Sequence, residues 1–517
     1  MSGSMSSNSE KNARIAKNTL VLYLRSILVL IVSLYTSRVV LETLGVEDYG
    51  IYFVVGGVVA LFSSISSSLS GAISRFLTFE IGRDDESRLK TIFSTSIQIQ
   101  VILALMIVSL ILTGGAWFLN DKLNIPLERI EAAQWVLVFS ALSFGFGLIG
   151  ATYNALIIAH ERMKAFAYIS ILDVILKLGA VLLLTVSTYD NLKTYSVFLL
   201  CVSLITQACY WLYCRSQFAE SRFNFVWDKD LLKSMFGFSG WAFSSNAVGM
   251  LNTQGINILT NMYFGVAFNA ARGIATQVEG ALNQFISNLT VSVNPQITKS
   301  YAADNKDYMF QLICGGSKFA YFSALLFVIP LFIEAETVLK LWLGTVPEHA
   351  TVFVRLILLT MLPQVLGGIL FTAAMATGDI RNYSIIINGV SIFTFFFAWG
   401  LFWLGFPAEV AYMVHLTVRI VLVILRVFLL KSMISFSPLH YFRSVFLRII
   451  PVSILAFVFP MMLLATSIPQ SFLRVILVTT ISIPATLFLI FFLGLTKVER
   501  NFAIRKLKRF KAKFQKG

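Results

Sequence analysis

The sequence is poor in charged residues, cysteine and histidine, and each scarcity excludes a class of protein. Only 13% of the 517 residues are charged, whereas a soluble globular protein carries about 25%. The chain has four cysteines and four histidines, and their spacing matches no metal-binding motif. We therefore expect no metal site, and we expect the cysteines to be thiols buried within the apolar segments.

Long polar segments are lacking as well. The largest interior loop, around residues 215–233, has about 20 residues, and an independent domain needs about 50. This excludes a separate catalytic domain between the apolar segments. Residues 1–17 are polar and basic without a small-residue cleavage site, so we interpret them as a cytoplasmic tail and not as a signal peptide.

Apolar residues make up most of the chain. It is 57% hydrophobic with a mean hydropathy of +0.79, and apolar runs of about 18 residues or more, long enough to span a bilayer, recur throughout. We predict an all-α polytopic membrane protein with about 14 transmembrane helices, near residues 16–38, 50–79, 90–119, 130–158, 165–187, 194–214, 234–264, 267–297, 309–333, 350–376, 381–404, 407–430, 443–466 and 472–494.

The placement of basic residues predicts the topology. The two tails and the loops that follow even-numbered segments contain about 27 Lys and Arg and the opposite loops about four, which puts both termini in the cytoplasm. The net charge of +15 therefore reflects topology, and nucleic acid is not an expected partner. We expect the basic tail to be attracted to anionic lipid head groups.

A weak internal repeat divides the chain. At an offset of 220 residues, Leu44-Gly45-Val46 aligns with Phe264-Gly265-Val266, and Arg83-Asp84-Asp85 with Ala303-Asp304-Asn305. The repeat predicts two six-helix lobes of the same orientation. The predicted division is an N-terminal tail (1–15), a first lobe (16–220), a cytoplasmic loop (221–233), a second lobe (234–433), two additional helices (440–494) and a basic cytoplasmic tail (495–517).

One predicted helix carries a continuous polar face. Its polar residues recur every three or four positions and span roughly 33 Å, which is close to the thickness of a bilayer core. These are Arg272, Thr276, Glu279, Asn283, Ser287, Thr290 and Asn294. The preceding segment has a similar face with Asn246, Thr253, Asn257 and Asn261. Such faces indicate either a wet transport cavity or hydrogen bonding between helices.

Two stretches resemble a known family. They are "YTSRVVLETLGVEDYGIYFVVGG" at 35–57 and "FGVAFNAARGIATQVEGALNQFISNLTVSVNPQITKSYA" at 264–302. The chain resembles the multidrug/oligosaccharidyl-lipid/polysaccharide (MOP) exporter superfamily, and within it the bacterial Wzx-type oligosaccharide flippases. The resemblance implies two helical lobes in a V around a central cavity. It also implies alternating access that moves undecaprenyl-pyrophosphate-linked sugars to the periplasmic leaflet of the inner membrane.

This cargo suggests the residues that bind it. A guanidinium can hold pyrophosphate oxygens through paired, charge-assisted hydrogen bonds, and amides can hold sugar hydroxyls. Some of the cations could instead snorkel to the head groups, as Arg25 could. The predicted substrate-binding residues are Arg25, Arg38, Arg272, Lys318, Arg419, Asn246, Asn257, Asn261 and Asn283.

Acidic residues within predicted helices are candidates for coupling transport to an ion. Glu279 lies near the middle of its helix, and Asp173 is four residues before Lys177. Asp173 could exchange its partner during transport, or the two charges could simply neutralise each other. Glu279 and Arg272 likewise could act separately or neutralise each other. No cofactor is expected, and H⁺ or Na⁺ is the candidate coupling ion.

Other readings of the sequence remain open. A cation-coupled multidrug exporter of the same fold is one, and an envelope glycosyltransferase or ligase is another. The serine-rich run from Ser63 to Ser74 either packs helices closely or leaves room for a bulky ligand. We expect a monomer that is not an enzyme. Its expected partners are lipid-linked oligosaccharide, membrane lipids, and the polymerase and chain-length proteins of the pathway.

Overall fold

The structure is a computed structural model. It describes residues 2–504 except positions 82, 84, 226, 227, 230, 232, 234, 236–242, 244, 245, 291, 292, 465–470, 498, 502 and 503. Side chains are not described for residues 2–24, 287–290, 295 and 459–464. Within the described part of the chain every regular element is a helix, so the predicted all-α class is confirmed.

The α-helices follow one another along the chain. They are α1 (Ser2–Ala60), α2 (Ser63–Ile81), α3 (Glu86–Leu110), α4 (Ala116–Asp121), α5 (Ile130–Ala159), α6 (Met163–Leu184), α7 (Asn191–Gln217), α8 (Ile256–Phe264), α9 (Val266–Thr290), α10 (Asn294–Ala302), α11 (Lys306–Ile333), α12 (Ala335–Leu343), α13 (Ala350–Ala376), α14 (Arg381–Trp403), α15 (Val410–Ile434), α16 (Pro438–Tyr441), α17 (Leu447–Leu464) and α18 (Phe472–Leu489). Short π-helices precede α4, α8 and α17 and follow α18.

The chain is a multi-pass membrane protein. Eleven helices in its described part are long and apolar enough to cross a bilayer. Large apolar side chains such as Leu105 and Trp403 are exposed on their outer faces, where a soluble protein would carry charge. The count of about 14 stays a prediction, because several predicted segments fall partly outside the described residues.

The helices form two compact units, Met1–Gly273 and Ile274–Gly517. Aliphatic side chains of α1, α3 and α5 make the core of unit 1, with Val54, Ile107 and Val136 almost fully buried. In unit 2, α11 and α13 are the most buried spanning helices. The division falls within α9, later in the chain than the predicted loop at 221–233.

The backbone repeats the pattern that the sequence repeat predicts. Gly45 (φ 77°, ψ 171°) interrupts α1, and Gly265 (φ 87°, ψ −177°), 220 positions later, separates α8 from α9. Both have positive φ, a conformation that favours glycine. Asp85 and Asn305, also 220 positions apart, both cap a helix N-terminus by accepting a backbone N–H three residues on.

The same offset relates entire helices. Shifted by 220 positions, α3 begins at the first residue of α11, and α5 begins at the first residue of α13. The starts of α6 and α7 differ from those of α14 and α15 by only two residues and one residue. Helix α5 packs on α7, and α13 packs on α15. Positions in α3, α5, α6 and α7 therefore have equivalents in unit 2 whose surroundings can be compared.

An arginine holds three helix ends of unit 1 together. Arg129, in the turn before α5, makes a two-pronged ion pair with Asp48 of α1. Its Nη1 also donates to Asp190, the N-cap of α7, at 2.6 Å. Burial alone would raise the pKa of Asp190, but hydrogen bonds from Arg129 and from the Lys193 amide lower it below its ordinary value.

We predict that Asp190→Asn destabilises unit 1 by about 1–2 kcal/mol at neutral pH, because asparagine keeps the cap and loses the ion pair. A carboxylate with a lowered pKa stabilises the fold above its unfolded pKa of about 3.9, and this stabilisation is lost as the pH falls through the folded value. The difference from wild type, measured by thermal unfolding, should therefore shrink below about pH 4.

The control is Glu131→Gln. Glu131 pairs with Lys193 at 2.6 Å, but its side chain is 72% exposed, so its loss should cost less than about 0.5 kcal/mol. Equal effects of the two substitutions would contradict the role given to the Arg129 cluster.

Candidate functional site

A stripe of cationic side chains follows one face of α15 in unit 2. His415, Arg419 and Arg426 are four and seven residues apart, which places them on the same side of a helix. Nε of Arg419 donates to Nε2 of His415 at 2.9 Å. Arg419 also interacts electrostatically with Arg426 and with Glu279. Charge inside an apolar bundle is costly, and such residues are typically functional.

Arg426 occupies space that a glycine provides. A Cβ on Gly367 of α13 would lie 2.3 Å from Nη1 of Arg426, so only glycine accommodates the guanidinium in this position. Arg426 interacts electrostatically with Tyr383 of α14. Its Nε and the Tyr383 hydroxyl are buried, and neither has a hydrogen-bond partner in the described structure.

Helix α9 brings a carboxylate and an amide to the same region. Glu279 interacts with Arg419 as described, and Asn283 lies one turn further along α9. The Asn283 side-chain oxygen accepts a hydrogen bond from Nε2 of Gln364 on α13 at 3.3 Å. Oε1 of Gln364 is buried without a partner among the described residues. We call His415, Arg419, Arg426, Glu279, Asn283 and Gln364 the α15 cluster.

The composition of the α15 cluster suits an anion. It contains two guanidiniums and one carboxylate, so it carries a net positive charge even with His415 neutral. Hydrogen bonds that involve a charged group are worth about 1.5–3 kcal/mol each, and they are stronger where water is scarce. The unpaired atoms of Arg426, Tyr383 and Gln364 are donors and acceptors that a polar ligand or water would satisfy.

Arg272, the first residue of the predicted polar stripe, belongs to unit 1. It is 7% exposed, and its Nη2 donates to the carbonyl of Thr253 at 3.1 Å. Thr253 lies in the π-helix Leu251–Gly255, where widened turns leave carbonyls available. π-Helices of this kind often mark functional sites. Within the stripe, the side chains of Ser287 and Thr290 lie outside the described residues.

The amides predicted to bind substrate are bonded to the protein itself. Nδ2 of Asn257 donates to the Phe53 carbonyl at 3.2 Å, and Asn269 donates to Asn257 at 2.7 and 2.8 Å. Asn246 donates to Ser67 and Ser68 of α2 at 3.3 and 3.0 Å.

Asn261 makes a reciprocal pair with the backbone of Asn124, accepting from its N–H at 2.8 Å and donating to its carbonyl at 3.3 Å. The role in helix packing is therefore visible for Asn246, Asn257 and Asn261, and their role in cargo binding stays a prediction.

The remaining predicted residues of unit 1 lie far from Arg272 in the sequence and contact other side chains of unit 1. The Arg25 guanidinium lies 4.6 Å from the Phe166 ring centre, and Arg38 pairs with Glu42 at 2.9 Å. Asp173 accepts from Lys177 at 2.7 Å and from Thr206 at 3.2 Å. The pair within α6 is thus formed, and the predicted exchange of its partner stays untested.

Lys318 of unit 2 is paired with the start of the C-terminal tail. Its side chain is 3% exposed and its Nζ lies 2.6 Å from Oε2 of Glu499. Glu499 and Thr496 cap each other's backbone N–H groups, as in a capping box. Burial alone would raise the pKa of Glu499, but the Lys318 hydrogen bond and the Thr496 amide lower it. Residues 505–517 of the predicted basic tail lie outside the described residues.

Sequence reasoning found Arg419, Glu279 and Asn283 and missed their neighbours His415, Arg426, Gln364 and Tyr383. A signal for two of them was present, because His415 and Arg426 share the helical face of Arg419. The positions of Gln364 and Tyr383 had no such signal, since they reach the cluster from other helices.

Comparison with known proteins gives matches in both sequence and fold. A family model described as "Polysaccharide biosynthesis protein" matches residues 15–300. The uncharacterized membrane protein EpsK of Bacillus subtilis (strain 168) is 22% identical over 328 residues. That match covers 62% of this chain and 63% of the relative, so it spans less than two thirds of the relative's length.

Two similar solved structures are transporters. The lipid II flippase MurJ, in an inward closed conformation, has a TM-score of 0.69 at 13% identity, covering 91% of this chain and 98% of MurJ. An inward-facing multidrug resistance MATE family transporter of the MOP superfamily has a TM-score of 0.61 at 14% identity, covering 79% of this chain and 98% of the transporter. At these identities the likeness is one of fold.

We predict that Asn261→Leu destabilises the protein by about 2 kcal/mol, because it leaves the Asn124 N–H and carbonyl without partners. Thermal unfolding of the purified protein measures the loss. Gln134→Leu is the control, since Gln134 donates only to the exposed side chain of Asn120 and its loss should be nearly neutral. An unchanged unfolding temperature for Asn261→Leu would leave cargo binding as its remaining role.

Proposed function

Because the chain belongs to the polysaccharide biosynthesis protein family, we propose that it moves a polyprenyl-pyrophosphate-linked oligosaccharide across the bacterial inner membrane. The cargo passes from the cytoplasmic to the periplasmic leaflet by alternating access, and both termini face the cytoplasm. The pathway served is synthesis of a surface polysaccharide. Family and fold are those of transporters, and the proposal breaks no bond in the cargo.

The α15 cluster is the observation that carries the proposal. A pyrophosphate brings at least two negative charges and several acceptor oxygens, and Arg419 and Arg426 offer donors to match. The buried Arg426 Nε and Tyr383 hydroxyl would gain the partners that they lack among the described residues. Arg272 remains the corresponding candidate in unit 1.

A cation-coupled drug exporter is the alternative that the MATE-like fold keeps open. The charge of the α15 cluster argues against it, because a cluster with two arginines and one carboxylate repels cationic drugs. The fold itself does not distinguish the two functions, since the flippase MurJ and the MATE transporter both resemble this chain.

Glu279 links cargo binding to an ion. In the structure it neutralises part of the charge of Arg419. When a pyrophosphate binds Arg419, its negative charge offsets the positive charge that acts on Glu279, and a carboxylate that feels less positive charge gains affinity for H⁺ or Na⁺. Release of the cargo would restore the electrostatic interaction between Arg419 and Glu279 and expel the ion, so the two events are coupled through one arginine.

We predict that Arg419→Gln and Arg426→Gln each slow flipping of a fluorescent polyprenyl-pyrophosphate glycan in proteoliposomes by about ten- to a hundredfold, the equivalent of one or two charged hydrogen bonds. Lys431→Gln is the matched control. It removes one positive charge from the exposed end of the same helix and should leave flipping unchanged.

Equal transport by wild type and both arginine variants, at equal amounts of folded protein, would reject the pyrophosphate role of the α15 cluster. Preference of wild type for a lipophilic cationic dye over the glycan would favour the drug exporter instead.

We further predict that Glu279→Gln abolishes the dependence of flipping on an imposed H⁺ or Na⁺ gradient, because glutamine neither binds a proton nor attracts a cation. Initial flipping rates with and without each gradient measure this. If the variant responds to the gradient as wild type does, Glu279 is not the coupling residue.

A further inference from the structure

Unit 1 contains a cavity of about 490 Å³ between α2, α5 and α7. This volume is within the range of about 300–1,000 Å³ that small-molecule sites occupy. Ser70, Gly71 and Ser74 of the serine-rich run form one wall, so this part of the run leaves room, whereas Ser67 and Ser68 of the same run are bonded to Asn246. Gly147 and Gly150 of α5 form another wall.

The internal repeat shows why this space is open. Gly147 is the equivalent of Gly367, and Thr206 is the equivalent of Arg426, each 220 positions apart. In unit 2 the Arg426 guanidinium fills the space beside the glycine. In unit 1 the shorter Thr206 turns to Asp173, and a Cβ on Gly147 would meet no atom within 4 Å.

The polar groups of the cavity are uncharged. They are the carboxamides of Asn154 and Gln207, the Tyr210 hydroxyl and the hydroxyls of Ser70 and Ser74. Asn154 donates to the Tyr210 oxygen at 3.4 Å. The Gln207 amide makes no hydrogen bond to any described residue, and its Oε1 lies so close to Gly150 that a Cβ there would be 1.5 Å away.

These groups match a carbohydrate. Each carboxamide offers both donors and acceptors, as each sugar hydroxyl does, and Gly71 and Gly147, where a Cβ would meet no atom within 4 Å, let a ring approach the helix backbone. A charged ligand would find no counter-ion among the lining residues, and an acyl chain would leave the amides unsatisfied.

We propose that this cavity, lined by α2, α5 and α7, binds one or two uncharged sugar residues of the cargo. The inference rests on the proposed function for the identity of that cargo. The two units then differ in chemistry at equivalent positions, with a neutral sugar site in unit 1 and a cationic pyrophosphate site in unit 2. The site would let the protein select its glycan, which the pyrophosphate alone cannot do.

The test uses free methyl glycosides as probes and the full-length protein in lipid nanodiscs, where no sugar-headed detergent competes. Saturation-transfer NMR with methyl hexosides and methyl N-acetylhexosaminides should give signals for wild type. Gly71→Leu and Gly147→Leu fill the cavity and should reduce these signals about tenfold, and Gln207→Leu should weaken them without filling it.

Gly179→Leu is the matched control, because a Cβ on Gly179 of α6 also meets no atom within 4 Å and Gly179 is not among the lining residues. It should bind glycosides as wild type does, and equal unfolding temperatures would show that all variants fold. Absence of glycoside signals in wild type would overturn the inference, as would full signals in both glycine variants.

The outcome is separable from that of the proposed function. Arg419→Gln should keep the glycoside signals while its flipping slows by about ten- to a hundredfold. Flipping that survives in the arginine variants would reject the pyrophosphate site and leave the glycoside result standing.

Discussion

Hydrocarbon offers no hydrogen bonds, and every polar group that this chain carries into the bilayer must find a partner inside the protein or in a cavity. Among the described residues, many hydroxyls bond to their own helix, as Ser68 does at Ser64, and some amides bond to the backbone of another segment, as Asn257 does at Phe53 and Asn261 at Asn124. The bonds between segments fix helices against each other where apolar contacts alone would be non-directional. The same constraint makes the exceptions informative, because an unsatisfied buried atom, such as Arg426 Nε, is costly to keep.

The repeat gives the two units similar helices that present different side chains. Gly45 and Gly265 share a backbone conformation, and the helices that follow begin at nearly equivalent positions. Given matching backbones, the side chains decide what each unit can bind. Arginine at 426 fills the space beside Gly367, and threonine at 206 leaves the space beside Gly147 empty. Two equivalent helix pairs thus carry different sites. The neutral cavity is lined by α5 and α7, and the cationic cluster includes residues of their counterparts, α13 and α15.

Helical periodicity predicted part of the candidate site, and the residues that it missed or misassigned have physical explanations. The family resemblance is confirmed, and the matching family model covers the first of the two stretches that suggested it and nearly all of the second. Arg419 and Glu279 stood out because charge in an apolar segment needs a reason. Lys318 stood out on the same ground, yet it pairs with Glu499, 181 residues away. Local sequence patterns do not predict a partner at that distance. Arg426 was overlooked beside a cation already noted on its own helical face.

The sequence by itself determined that the chain crosses a membrane many times, that it is helical, and that it repeats after 220 residues, because hydropathy, helical periodicity and short repeated motifs are properties of local sequence. Only the tertiary structure decided which polar groups serve packing and which remain available. Asn261 and Asn283 look alike in the sequence. In the structure, however, the Asn261 side chain is hydrogen-bonded to the backbone of Asn124 in unit 1, whereas Asn283 lies beside Gln364 in the α15 cluster. That difference depends on which helices meet, and helix pairing depends on contacts between residues far apart in the chain.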